Sequence, residues 1–230
     1  MSGNRPPLLP EAGERGLAGA DPAGVADLLD AAWSAAAGLV RTVPLDAPSR
    51  LSGRTSREVL VAVGSWDEHE RFAALVDDAR HGRVHEVDDL VGRAAHLAAA
   101  HHDADGEELA AALDRARTTA VGFLRSPDAS RIGREPTAST LGQLPVTCVL
   151  VAATYDLAVH ALDVAEPDQV PAALYDAALG GLVDVTAALA ARQGLDVTFL
   201  VRTPHAAWAA ATTAAGDWTT VRLDVAAAAA

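Results

Sequence analysis

The residues best suited to chemistry lie on one stretch, Pro145-Val-Thr-Cys-Val-Leu-Val-Ala-Ala-Thr-Tyr-Asp-Leu-Ala-Val-His-Ala-Leu-Asp. It is apolar almost all round, which predicts a helix buried at the centre of a bundle. Its only groups that carry charge near neutral pH are Asp156, His160 and Asp163. At about 100° per residue, Val149, Asp156, His160 and Asp163 fall on one stripe. Asp156 and His160 are one turn apart, with Cβ atoms about 5–6 Å from each other. An unpaired buried carboxylate is costly, so these groups must be paired, bind an ion, or face a wet cavity. Two readings stand. One is an internal Asp–His hydrogen bond that fixes packing. The other is a site wall in which Asp156 orients His160 and stabilises its charged form for proton transfer.

Other candidates are weaker. His81-Gly-Arg-Val-His85 has metal-like spacing, but Gly82 and the flanking charges predict a solvated loop. His101-His102 reads as a surface turn. Cys148 lies about 100° around the helix from the Asp156/His160 stripe and reads as a small buried hydrophobe rather than a nucleophile. Trp33 and Trp66 are expected in the core or a pocket wall, with Trp208 and Trp218 packing the C-terminal strands. Gly-rich phosphate loops, serine elbows and zinc-peptidase motifs are lacking.

The elements that must position the central helix are read from caps and periodicity. Residues 1–20 are rich in Pro, Gly and charge and are expected as a disordered or loosely attached arm. Asp21-Pro22 starts a first helix that runs to about Arg41, before Pro44 and Pro48. Thr55-Ser-Arg-Glu58 is a capping box for a second helix, expected to continue, kinked near Gly64, through Trp66, Phe72 and Val76. Residues 81–89 read as a loop and 89–101 as a short helix. A third long helix opens at Asp105-Gly-Glu-Glu108, and 126–140 reads as a long connection. The fourth helix spans about 145–164, and the fifth runs from Pro171 to Arg192. Alternation over Val197–Arg202 and Trp218–Val225 predicts a small antiparallel meander with a turn at Gly216-Asp217. The expected division is arm 1–20, helical bundle 21–195 and β appendage with tail 196–230.

Composition narrows the function. Half of the 230 residues are apolar and 4% aromatic, so Ala, Leu and Val must fill a close-packed helical interior. A formal charge of −13 opposes phosphate backbones and anionic lipid, so neither nucleic acid nor membrane is an expected partner. All 18 basic residues are arginine, which removes Schiff-base and phosphate-loop lysine chemistry. The single cysteine forbids an intrachain disulfide. No signal-like segment and no uninterrupted membrane-length apolar run is read, so the expected location is cytoplasmic.

The run Tyr155-Asp-Leu-Ala-Val-His160-Ala-Leu-Asp163 resembles the acid-x-x-x-His-x-x-Asp signature on the penultimate bundle helix of DinB-like proteins. More narrowly, it is similar to the N-terminal domain of mycothiol-dependent maleylpyruvate isomerases. Pro48-Ser-Arg-Leu-Ser-Gly53-Arg-Thr-Ser-Arg-Glu58-Val-Leu-Val-Ala62-Val-Gly64 resembles that family's Pro…Gly-Trp-Thr-x-x-Asp-x-x-x-His-Leu-Gly segment. The resemblance covers roughly residues 22–195. It implies a mainly α fold, a DinB-like four-helix bundle with an additional helix and a small C-terminal antiparallel meander. It also implies a divalent metal held by a helix-two histidine with an acid and a histidine of the central helix. Asp156 and His160 match the latter pair, Ala62 stands where the histidine would be, and Arg54 where the tryptophan would be. His69, seven residues on, would lie about 10 Å further along an unbroken helix.

The resemblance thus implies a small-molecule enzyme in which His160, Asp156, Asp163 and Arg54 carry the chemistry. That chemistry is either thiol-dependent isomerisation or transfer with mycothiol, or metal-independent acid–base isomerisation or cyclisation. The alternatives are a non-catalytic ligand-binding or regulatory protein, and a structural partner in a hetero-oligomer. A homodimer is compatible with each.

Overall fold

The computed structural model describes residues 15–63, 66–83 and 90–224. Among them are α1 (Pro22–Val40), α2 (Ser56–Ala62), α3 (Glu68–Arg80), α4 (Leu90–Ala100), α5 (Gly106–Leu124) and α6 (Ala129–Ile132). A hairpin of β1 (Pro136–Ser139) and β2 (Gly142–Pro145) leads into α7 (Val146–Val164) and α8 (Ala172–Arg192). The described chain closes with β3 (Thr198–Arg202), β4 (Ala207–Thr212) and β5 (Trp218–Leu223). The molecule is mainly helical with small antiparallel sheets.

Local signals start the helices where expected. The Asp21 carboxylate accepts from the Ala23 N–H with Pro22 in the first turn, and Thr55 and Asp105 each complete a capping box with Glu58 and Glu108. α1 lies along α5 and also meets α7 and α8, while α7 lies along α8 and α3 packs on α5. Gly181 permits the close approach of α7 and α8, because a Cβ there would stand 2.7 Å from the Val151 carbonyl oxygen. The Trp33 indole N–H donates to Thr154 Oγ1 at 3.1 Å and pins α1 to α7.

Three expectations are corrected. The second helix does not continue through Phe72: Val63 turns extended (φ −93°, ψ 98°), and α3 starts afresh at Glu68. The connection after α5 contains α6 and the hairpin, whose four-residue strands are too short and polar to announce themselves. Part of the supposed arm is packed. Residues 1–14 lie outside the described residues, but Gly16, Leu17 and Ala18 form a buried 3-10 turn, and Arg15 bridges to Trp218. Separately, α1, α7 and α8 are each long and apolar enough, by length and composition alone, to cross a membrane. Their few charged residues interrupt the sequence without lowering its mean hydropathy enough, and half or more of each is buried within the molecule.

The meander is antiparallel in the order β3-β4-β5, with Leu200 opposite Ala209 and Ala209 opposite Val221. Its central strand, Ala-Trp-Ala-Ala-Ala-Thr, is wholly buried and shows no alternation, so only its flanking strands were legible. Trp208 lies on Gly180 of α8, where an added Cβ would meet the ring at 2.7 Å. The sheet therefore shares the bundle's core, which includes Trp208, Ala210 and Trp218.

Candidate functional site

α7 presents Val149, Asp156 and His160 of its stripe, but not Asp163, to a cavity of about 600 Å³. The cavity lies between α7 and the segment 51–75, with the β1–β2 hairpin and α8 closing it. Its inner wall is apolar: Trp33, Val59, Phe72, Leu75, Leu144 and Val185 are all buried. Arg54, Ala62, Asp156 and His160 line the same cavity, so the structure brings together four positions singled out from the sequence.

The geometry reassigns the roles of the two acids. His160 Nδ1 lies 2.8 Å from Asp163 Oδ2, and a carboxylate can only accept, so Nδ1 carries the proton and donates. Nε2 is then the basic nitrogen. It lies 3.8 Å from Asp156 Oδ1, beyond hydrogen-bond range. Asp163, whose side chain is 17% exposed, orients the ring; Asp156, at 70%, points into solvent at the opening. This corrects the expectation that Asp156 orients the imidazole. Spacing of three or four residues brings either acid within reach, and side-chain direction decides between them. Asp163 is itself anchored, because its carbonyl accepts from the Arg50 N–H at 2.8 Å. That bond also holds the loop carrying Leu51 and Arg54 against the end of α7. Arg54 is exposed at the opening and enters none of the ion pairs found among the described residues.

The residues do not fit the three-ligand metal centre that the resemblance implies. Ala62 lines the cavity with no donor atom, and His160 Nδ1 is already taken by Asp163. His69 begins a separate helix, lies 3.9 Å from Glu70 and is not a lining residue. Among the described residues no group of three His, Cys, Asp or Glu side chains could hold a metal. His81 pairs with Asp77, and His85 lies outside the described residues. His101 stacks on Trp66 with ring centroids 4.0 Å apart.

A second charged cluster in the wall escaped the sequence reading. Glu68 is buried and accepts from Arg71 at 2.8 Å and Arg93 at 3.2 Å, while Arg93 also grips Asp67. Burial pushes the Glu68 carboxyl above its ordinary range, and the arginines pull it back only in part. No local signal could reveal this, since Arg93 comes from another helix 25 residues away.

Cys148 is buried and its thiol is pushed well up, by burial first and then by Asp184, as expected of an inert residue. A second hollow lies between α1, the start of α8 and the sheet. Two of its charged groups, Asp176 and Arg222, are already paired with each other.

Fold and site together define a mainly helical protein with small antiparallel sheets, in which a His–Asp pair opens onto an apolar cavity. No protein-family model matches the chain, nor does any curated protein or solved structure.

Proposed function

We propose that the chain is a small-molecule enzyme, similar to the DinB-like maleylpyruvate isomerase group, that performs acid–base isomerisation or cyclisation without a bound metal. The observation that carries this reading is His160, held from behind by Asp163, on the wall of a cavity large enough for a small metabolite. His160 Nε2 takes a proton from an acidic C–H of the substrate, and the charged imidazolium is stabilised by Asp163. The same nitrogen returns the proton to another atom of that substrate, so no proton is gained or lost overall. Arg54 stands at the opening to stabilise the developing oxyanion. With a thiol co-substrate such as mycothiol, His160 would deprotonate the sulfur and Arg54 would hold the thiolate.

The reading includes a cytoplasmic location and no nucleic-acid or membrane partner. Its support is the −13 charge and the acids on the apolar helices, such as Asp27 and Asp30 of α1, which pair with Arg125.

The test is hydrogen exchange from deuterated solvent into a panel of enolisable carbonyl compounds, with and without thiols, read by mass spectrometry. His160→Ala should lower exchange by about 10²–10⁴-fold with the fold intact. Asp163→Asn should lower kcat by about 10²-fold at unchanged KM, as a positioning residue would. Unchanged kinetics in His160→Ala would remove the mechanism. The second reading, ligand binding without catalysis, is favoured by Ala62 facing the cavity where a ligating side chain would complete a centre. Ligand-induced stabilisation without product would decide for it.

A further inference from the structure

The opening of the cavity is unusual for a site that handles polar metabolites. Leu51, Leu141, Tyr155 and Leu182 each line the cavity and are 36–48% exposed. They are half of the eight large hydrophobic side chains exposed among the described residues, and they come from four different segments. A large apolar side chain left in water is ordinary when single and informative when clustered. Behind this rim the wall stays apolar through Val59, Phe72, Leu75, Leu144 and Val185. The buried charged cluster in that wall is self-neutralised, because Arg71 and Arg93 serve Glu68 and Asp67. Among the described lining residues, the arginine outside that cluster is Arg54, which is exposed and shares the cavity with His160.

We infer that the ligand is an amphiphile with an elongated apolar body and one anionic end, of the acyl carboxylate class. Its hydrocarbon enters between Leu141 and Leu182 and fills the inner wall. Its carboxylate stays at the opening against Arg54. The inference rests on the proposed function only in placing the ligand at the same cavity, and it names the class of molecule taken there. A rim of exposed leucines favours such a ligand because its apolar surface and the rim's leave water together. A small hydrophilic dicarboxylate would gain nothing from it.

The test uses the full chain with dodecanoate, dodecanol and succinate as probes, each below its micellar range, followed by calorimetry and by tryptophan fluorescence from Trp33 in the wall. Dodecanoate should saturate at one molecule per chain, with dodecanol about tenfold weaker. Arg54→Gln should erase that tenfold preference. Leu141→Glu and Leu182→Glu replace exposed residues, so the fold should survive, as an unchanged melting curve would verify. They should weaken both long-chain probes at least tenfold. No saturable binding of either probe, equal affinity for succinate, or rim variants that bind as the unmodified chain does would each overturn the inference. His160-dependent turnover of a hydrophilic compound without dodecanoate binding would also overturn it, while leaving the acid–base function standing. Dodecanoate binding without any His160-dependent turnover would support the ligand class and remove that function instead.

Discussion

Two neighbouring helices, α7 and α8, are both apolar and both carry acids, yet they use them in opposite ways. On the cavity side, α7 leaves Asp156 70% exposed and gives Asp163 to one histidine. On the sheet side, α8 buries its acids and surrounds them with donors. Asp184 Oδ1 accepts from the Leu17 N–H at 3.0 Å, the Trp218 indole at 3.1 Å and Thr220 Oγ1 at 2.7 Å. Asp176, two turns earlier, accepts from the Trp208 indole at 2.8 Å and pairs with Arg222. One acid thus ties the N-terminal turn and the sheet to the bundle, while the other side keeps groups loose enough to meet a ligand. The difference shows that acid content on an apolar helix does not by itself mark a site. How many donors already serve each carboxylate does.

Burial also acts on the Asp184 carboxyl itself. Burial pushes its carboxyl up, opposed by Thr220, Leu17, Cys148 and Trp218, and its Oδ2 has no hydrogen-bond partner. That direction favours the neutral acid, whose burial costs less than that of a carboxylate. Gly16 completes the arrangement. At φ +55° it passes so close that a Cβ would lie 2.0 Å from Asp184 Oδ1.

The comparison breaks most sharply by truncating one acid from each side. Asp184→Ala strands three buried donors at about 1–3 kcal/mol each, so stability should fall by at least ~3 kcal/mol. Asp156→Ala should stay within about 0.5 kcal/mol. Equal melting shifts for the two would erase the distinction. Next, Gly180→Ala should cost about 1–3 kcal/mol, because the new methyl group meets the rigid Trp208 ring. A neutral result in chemical denaturation would mean that the sheet is free to lift.

The pH dependence sharpens the same contrast. A carboxyl whose folded pKa is raised stabilises fully below its unfolded value, near 3.8, and loses that contribution as pH climbs through the folded value. The part of the thermal stability that Asp184 supplies should therefore shrink as pH rises above about 4. Asp184→Asn, neutral at every pH, should flatten that decline; parallel profiles would show that Asp184 ionises freely. The smallest effect belongs to the surface. Arg80 and Ser126 hold the Asp128 carboxyl down at about 2, so its contribution is present above pH 3.8 and fades as pH falls toward 2. Arg80→Ala should return its titration toward the ordinary range by NMR, while moving Tm by about 2 °C or less. A larger shift in Tm would make that exposed pair structural.

What the sequence determined by itself was whatever depends on residues a few positions apart. Asp21, Thr55 and Asp105 place the helix starts because a cap bonds to backbone two or three residues on. The spacing of Asp156, His160 and Asp163 puts them on one face because a helix repeats every 3.6 residues. Tertiary structure decided the rest, because those choices depend on partners distant in the chain. It turned Asp163 rather than Asp156 to the imidazole, with Arg50 bracing that end of α7. It ended the second helix at Val63, which removed His69 from the site. It brought Arg93 to Glu68 and, across 167 residues, the Leu17 N–H to Asp184. A buried charge has no local signature: its cost is met by whichever groups the fold delivers, and only the packed molecule shows which those are.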